Sequence, residues 1–389
     1  MRTAFVFHTG FPAPSARWLA EMIAEDGLGG PDALAVFPNK SPLRPRVEAS
    51  GTRCAELDLE ESALEEVPAG ARAGLAVGKA RYGLAVASLL RAHRCEAAFI
   101  LSGTQIIPGL AASALRIPTL WYVPERHGAG PAFRVKRAVI RACAGVVAFA
   151  SAECAEAFVA GDLGARVRTI RAGAPDRPAD AAARRERLRG ELGWRAEELV
   201  ALYLGPISAA AGVPALLAAW EGVPEGFPMA RLALAGDTSA DESDRRIAAL
   251  LAGRAPKAAH LGVREDAMAL LLAADLAVLP PDGEPVGGAL ELAMMAGCPV
   301  LSTQARHAAA TLDEGTAFLA PTEASLPAAL RMALNRGDLR RERAAAAQAL
   351  ALRTLRRKDA AATIRDLLAQ LARERRSPQI RTGADAHAD

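Results

Sequence analysis

Short apolar runs alternate with stretches of helical period along most of the chain. In the first half the runs at 3–7, 33–37, 97–101, 119–123, 145–150 and 167–170 read as strands, and 15–26, 106–115 and 131–143 carry helical periodicity. Such alternation predicts parallel strands joined by crossover helices. The pattern breaks at Arg171-Ala172-Gly173-Ala174-Pro175, which predicts a first domain over 1–173. A basic helical stretch at 181–192 opens a second series over 174–358, with strands at 200–204, 231–235 and 276–279 and helices at 213–221, 241–252 and 264–273. From 325 to about 374 the period is helical, and the polar tail 377–389, with Pro378 and Gly383, reads as disordered. Two doubly wound sheets are therefore expected. Ligands of such folds bind beyond the carboxyl ends of the strands, so Gly10, Gly205, Gly236 and Glu284 are candidates to face one cleft.

A chain of 389 residues is long enough for two such domains, each with its own core. Aromatic residues make up 4% and alanine is abundant, which suits helices packed closely on sheets and argues against an aromatic-rich nucleic-acid platform. A formal charge of +3 is too small to imply a polyanionic partner by itself. No apolar run reaches the roughly 18–20 residues that span a bilayer, and the start reads as a strand and turn, not a signal peptide. A soluble, cytoplasmic protein is expected. Cys54, Cys95, Cys143, Cys154 and Cys298 are scattered, odd in number and never in a CxxC pair, so reduced core thiols are expected.

The most informative stretch is 284–300, Glu-Pro-Val-Gly-Gly-Ala-Leu-Glu-Leu-Ala-Met-Met-Ala-Gly-Cys-Pro-Val. It puts a carboxylate and a Gly-Gly pair at the mouth of a small-residue helix predicted over 287–296, ahead of a strand at 299–302. The open N–H groups and dipole of a helix start favour an anion, as in a phosphorylated sugar.

This segment resembles the nucleotide-sugar site of glycosyltransferase family 4, and the resemblance continues along most of the chain. The family's general form is Glu-x-Phe-Gly-x-x-x-x-Glu-Ala-Met-Ala-x-Gly-x-Pro-Val. Aligned on Gly297, Pro299 and Val300, Glu284 takes the first glutamate and Leu292 the second. Glu291 lies one position early, a rotation of about 100° on a helix. The resemblance implies an α/β fold of the GT-B type, two Rossmann-like doubly wound domains facing a central cleft, in which the last helix, 359–376, crosses back to the first domain. It also implies retaining transfer of a sugar from a nucleoside diphosphate donor, with no metal and no cofactor. No Asp-x-Asp pair, HExxH or Gly-x-Ser-x-Gly is present.

Carried over position by position, Glu284 would lie against the sugar ring as the catalytic residue. Pro285, Val286, Gly287 and Gly288 would form the donor loop, the two glycines giving N–H groups to the diphosphate, and Glu291 would reach a ribose hydroxyl. Gly205 would allow close backbone approach, Gly236-Asp237 would match the family's Gly-x-Gly turn, and Gly262 and Val263 would read the base through the backbone. A plain αβ turn is the alternative at Gly236-Asp237. Where the family carries an arginine and a lysine on the diphosphate, this chain has Pro206 and Ala211. Each charge-assisted contact contributes on the order of 1.5–3 kcal/mol, so losing two weakens donor binding by roughly 10²–10⁴ unless something replaces them.

On the acceptor side the candidates are Gly10, Glu125, Arg126 and His127. Relatives carry a histidine where this chain has Pro124; His127 folding back, or Arg126 replacing a phosphate cation, stands against both being solvated loop residues. His8 reads as a packed histidine. Arg134, Lys136, Arg137 and Arg141 beside Phe133, Val139 and Ile140 read either as a solvated basic face or as a peripheral contact with an anionic inner-membrane surface. The expected partners are a nucleotide-sugar and a glycan, lipid or small-molecule acceptor, not nucleic acid. The competing reading is a non-catalytic GT-B protein that binds a glycan or supports an active transferase.

Overall fold

The computed structural model describes residues 1–10, 13–59, 72–125, 130–159, 166–209, 211–238, 247, 258–279, 288–303 and 311–376. The chain divides into two compact units, Met1–Arg171 with the described residues from Lys358 onward, and Ala172–Arg357.

The first unit holds a seven-stranded sheet. Its strands are β1 Thr3–Val6, β2 Ala33–Pro38, β3 Arg53–Leu57, β4 Ala97–Leu101, β5 Thr119–Val123, β6 Val146–Phe149 and β7 Val167–Thr169. They lie in the order β3-β2-β1-β4-β5-β6-β7 with every pairing parallel. The order reverses between β1 and β4, where an open sheet leaves a crevice at its carboxyl edge. Both faces are covered, so successive residues pack on opposite sides. Ala4 and Val6 join Leu34, Val86 and Leu90 on one face. On the other, Phe7 stacks on Phe37 at 4.2 Å and Trp18 on Tyr122 at 4.7 Å.

The helix Arg357–Arg376 closes this unit. Ile364, Leu368 and Leu371 are buried, with Leu371 against Gly145. Arg365 donates to Asp26 O (3.0 Å), Arg375 to Cys95 O (3.1 Å), and Arg376 pairs with Glu96.

The second unit repeats the plan with β8 Leu199–Leu204, β9 Ala230–Ala235, β10 Ala258–His260, β11 Leu276–Leu279, β12 Val300–Thr303 and β13 Phe318–Ala320, in the order β10-β9-β8-β11-β12-β13. Its strands are again all parallel, and the order reverses between β8 and β11. Leu202 faces a core with Trp194, Met294 and Met295, while its neighbour Tyr203 faces one with Trp220, Leu232 and Phe318. Asp275, just before β11, accepts from Val200 N (2.9 Å) and pairs with Arg185 (2.6 Å) and the buried Arg189 (3.2 Å), tying the basic helix Ala181–Glu191 to the sheet.

The helical stretch expected from 325 to 374 is three helices, Leu326–Asn335, Gly337–Thr354 and Arg357–Arg376. The breaks fall at Arg336 (φ −98°, ψ 75°) and Leu355 (φ −132°, ψ 25°), neither of which is helical backbone. The helix expected at 241–252 and the tail 377–389 lie outside the described residues except for Ile247, which is buried. Among the described residues no helix is long and apolar enough to cross a membrane. All five cysteines are free thiols, with Cys95, Cys154 and Cys298 buried.

Candidate functional site

Beyond the carboxyl ends of β8, β9 and β10 the chain keeps its sheet-like bonding for one more step. Gly205 N donates to Ala235 O (3.0 Å), Gly236 N to Gly262 O (2.9 Å), and Ile207 N to Asp237 O (2.7 Å). The three loops are thereby stitched edge to edge. A β-carbon on Gly236 would lie 1.7 Å from Gly205 O, so only hydrogen fits there. Gly205 (φ +154°) and Gly262 (φ +70°) hold backbone that other residues rarely adopt. Gly205, Gly236, Asp237 and Gly262 are thus brought together, with Val263 exposed at the rim.

Two side chains to which the sequence assigned no role support these loops. Tyr203 is buried, and its hydroxyl donates to Pro206 O (2.8 Å). Burial raises the pKa of that hydroxyl well above its ordinary value, so it acts as a fixed donor. His260 Nε2 lies 2.9 Å from Gly236 O. The usable signal was position: the two residues sit at or next to the carboxyl ends of β8 and β10, the strands whose loops carry Gly205 and Gly262.

The two missing cations have different surroundings. Pro206 is exposed, whereas Ala211 is 7% exposed and packs into the core with Val213 and Leu216. Ser208 Oγ accepts from Ala211 N (3.1 Å), and Gly212 (φ +73°) opens the helix Val213–Trp220.

The helix of the informative stretch runs Ala289–Ala296, with Gly288 (φ +65°) at its N-cap and Gly297 (φ +71°) at its C-cap. Its first intrahelical bond is Leu292 N to Gly288 O (2.7 Å), which leaves the N–H groups of Ala289, Leu290 and Glu291 ahead of the ladder. Glu291 lies in the first turn and is 6% exposed; Leu292 packs against the core. Glu284, Pro285, Val286 and Gly287 lie outside the described residues, as do Arg126 and His127.

In the first unit a polar group gathers at the corresponding switch between β1 and β4. The Glu125 carboxylate accepts from Ser102 Oγ (2.6 Å) and Gly103 N (2.7 Å), and Gln105 Nε2 donates to His8 O (3.1 Å). Ser102 holds φ +80°, a strained value for a serine. His8 Nδ1 is buried without a partner among the described residues. Burial pulls the imidazole pKa below its ordinary value, against an opposing pull from the Glu125 charge. Gly10 is required by packing, since a β-carbon there would meet Pro38 O at 2.7 Å and Lys40 O at 2.8 Å. In the helix Pro131–Cys143, Phe133 and Ile140 turn into the core, where Phe133 meets Phe158 edge-on at 4.9 Å. Its apolar face is therefore occupied by the protein itself, and Val135 is the large apolar side chain left outside.

Residues 198–336 match the family model described as glycosyl transferases group 1, a segment that holds every described donor-side candidate. The structure resembles HepE of Anabaena in complex with UDP-glucose, at TM-score 0.76 and 19% identity over 95% of this chain and 99% of that one. It also resembles a glycosyltransferase from Rickettsia africae (TM-score 0.74, 11% identity, 95% and 98% covered) and the sucrose-phosphate synthase of Thermosynechococcus elongatus (0.70, 18%, 95% and 98%). Among curated proteins none matches the chain in sequence. At these identities the likeness bears on architecture, and it makes the chain a GT-B fold of two parallel α/β domains.

Proposed function

We propose that the protein is a family 4 glycosyltransferase that moves a sugar, with retention and without a metal, from a nucleoside diphosphate sugar to a glycan, lipid or small-molecule hydroxyl. The observation that carries the reading is the glycine-lined cradle at Gly205, Gly236 and Gly262, on the segment that matches group 1 glycosyltransferases. Backbone approaches a planar base or a phosphate most closely where no side chain intervenes. The start of the helix Ala289–Ala296 adds N–H groups and a favourable dipole for the diphosphate. Glu284 takes the place against the sugar ring, and Glu291 the ribose. Such chemistry asks the protein mainly for positioning and for stabilising the leaving diphosphate. In the first unit, Glu125 and the polar group around it are the acceptor-side counterpart.

One observation favours a second reading, a non-catalytic GT-B protein. Ala211 is buried and Pro206 has no charge, so neither position holds a cation for the diphosphate. Calorimetric titration with UDP, GDP and ADP, then with UDP-sugars, on the native protein and on Glu284→Ala separates the two. Micromolar binding of one nucleotide supports the transferase. Absence of binding by the folded protein at millimolar nucleotide sinks it.

A further inference from the structure

At the opposite, amino edge of the second sheet lies a cavity of about 420 Å³. Asp275 and Pro299, which precede β11 and β12, form part of its wall, so the length of the strands separates it from the loops that follow their carboxyl ends. Four arginines line it, Arg177, Arg185, Arg340 and Arg341, against one carboxylate, Asp275.

Two of these cations are already engaged. Arg185 donates to Leu272 O (2.9 Å), Ala274 O (2.7 Å) and Asp275 (2.6 Å), and Arg340 caps the carbonyls of Ala333 and Leu334. Arg177 and Arg341 make no hydrogen bond or ion pair among the described residues. Their heads lie at the cavity wall. Arg177 Nη1 is 3.3 Å, and Gln348 Nε2 3.1 Å, from the point a β-carbon on Gly297 would occupy. Arg341 Nη1 and Arg340 Nη2 lie 3.7 and 3.4 Å from the corresponding point on Gly337. Arg340 and Arg341 are therefore close like charges. Burial lowers the pKa of Arg340, Asp275 opposes this, and Arg341 reinforces it. The cavity also takes in Gly337, the start of the eighteen-residue helix Gly337–Thr354, whose dipole adds positive potential.

Gathering four guanidinium groups around one carboxylate is unfavourable in empty solvent and favourable around a multiply charged oxyanion, which guanidinium forks bind in bidentate fashion. We infer that this cavity is a second small-molecule site, which binds an anion carrying two linked phosphate groups through Arg177, Arg341 and the outward edges of Arg185 and Arg340. The site is independent of the donor cradle and does not rest on the proposed function.

The test is calorimetric titration of the full chain with inorganic pyrophosphate at moderate salt. The native protein is compared with Arg177→Ala/Arg341→Ala and with Arg187→Ala/Arg331→Ala, which removes the same charge from exposed positions outside the cavity. The four substituted side chains are exposed, and circular dichroism checks that each protein is folded. Saturable one-to-one binding is expected, weakened by about 100-fold or more in the cavity variant, since two charge-assisted contacts are lost and each corresponds to at least about tenfold. The control should stay within about twofold. Three results overturn the inference: no saturable binding by the native protein, equal loss in both variants, or unchanged binding in the cavity variant. The last would place pyrophosphate elsewhere on the protein.

Discussion

Replacing Gly236 by alanine puts a methyl group where there is no room. Its carbon would sit 1.7 Å from Gly205 O and 2.7 Å from Gly205 C, both backbone atoms that cannot rotate away. The ends of β8 and β9 must then part. The bonds at risk are Gly205 N to Ala235 O and Ile207 N to Asp237 O. Two backbone bonds at about 0.5–1.5 kcal/mol each, with an overpacking cost of about 1–3 kcal/mol, give a destabilisation of about 2–6 kcal/mol. For a unit of this size that lowers the melting temperature by about 5–15 °C. Hydrogen exchange at β8 and β9 reads the second unit by itself, and UDP titration reads the cradle. Gly226→Ala is the control, because nothing lies within 4 Å of its β-carbon position. If Gly236→Ala melts within about 2 °C of the native protein and keeps its exchange protection, the close approach of the two loops is not what holds the cradle together.

Arg189→Met removes a buried cation that donates to Ala273 O, Arg195 O and Glu198 O and pairs with Asp275; a loss of about 3–5 kcal/mol in denaturant unfolding is expected. Burial pushes the Glu198 carboxyl up, but the Arg231 guanidinium at 2.6 Å and the Arg195 N–H outweigh it, so its folded pKa lies below the ordinary 4.5. The stability this contributes is present above pH 4.5 and lost as pH falls through the lower folded value; in melts at descending pH, Glu198→Gln should show a shallower decline than the native protein. Leu371→Ala should cost about 2–5 kcal/mol, read as lost exchange protection in the first unit. Adding Gly145→Ala should then cost less than it does in the native background, since the methyl it introduces meets Leu371 Cδ2 at 2.6 Å.

The central strands were legible because both sheets are covered on two faces, which makes them short, continuous apolar runs such as Ala97–Leu101 and Thr119–Val123. β3, with Arg53, Cys54 and Glu56, escaped notice because it is an edge strand with no fully buried residue. β10 and β13 are three residues each, too short for a period to register. In the candidate site the glycines were legible as turn residues, but their mutual contact was not, because Gly205 and Gly236 meet only once β8 and β9 pair. The same holds for the arginine cavity. Arg177, Arg185, Arg340 and Arg341 each look like a solvated surface residue until two helices and a sheet edge bring them around Asp275.

The return of the last helix to the first unit makes that unit discontinuous in sequence. During synthesis its seven strands emerge long before the helix that carries Ile364, Leu368 and Leu371, while the second unit is a single uninterrupted segment. At about 5–20 residues per second the intervening chain takes on the order of 10–40 s to appear. For that interval the surface around Gly145 that Leu371 will cover is open, so the half of the protein made first is the half completed last.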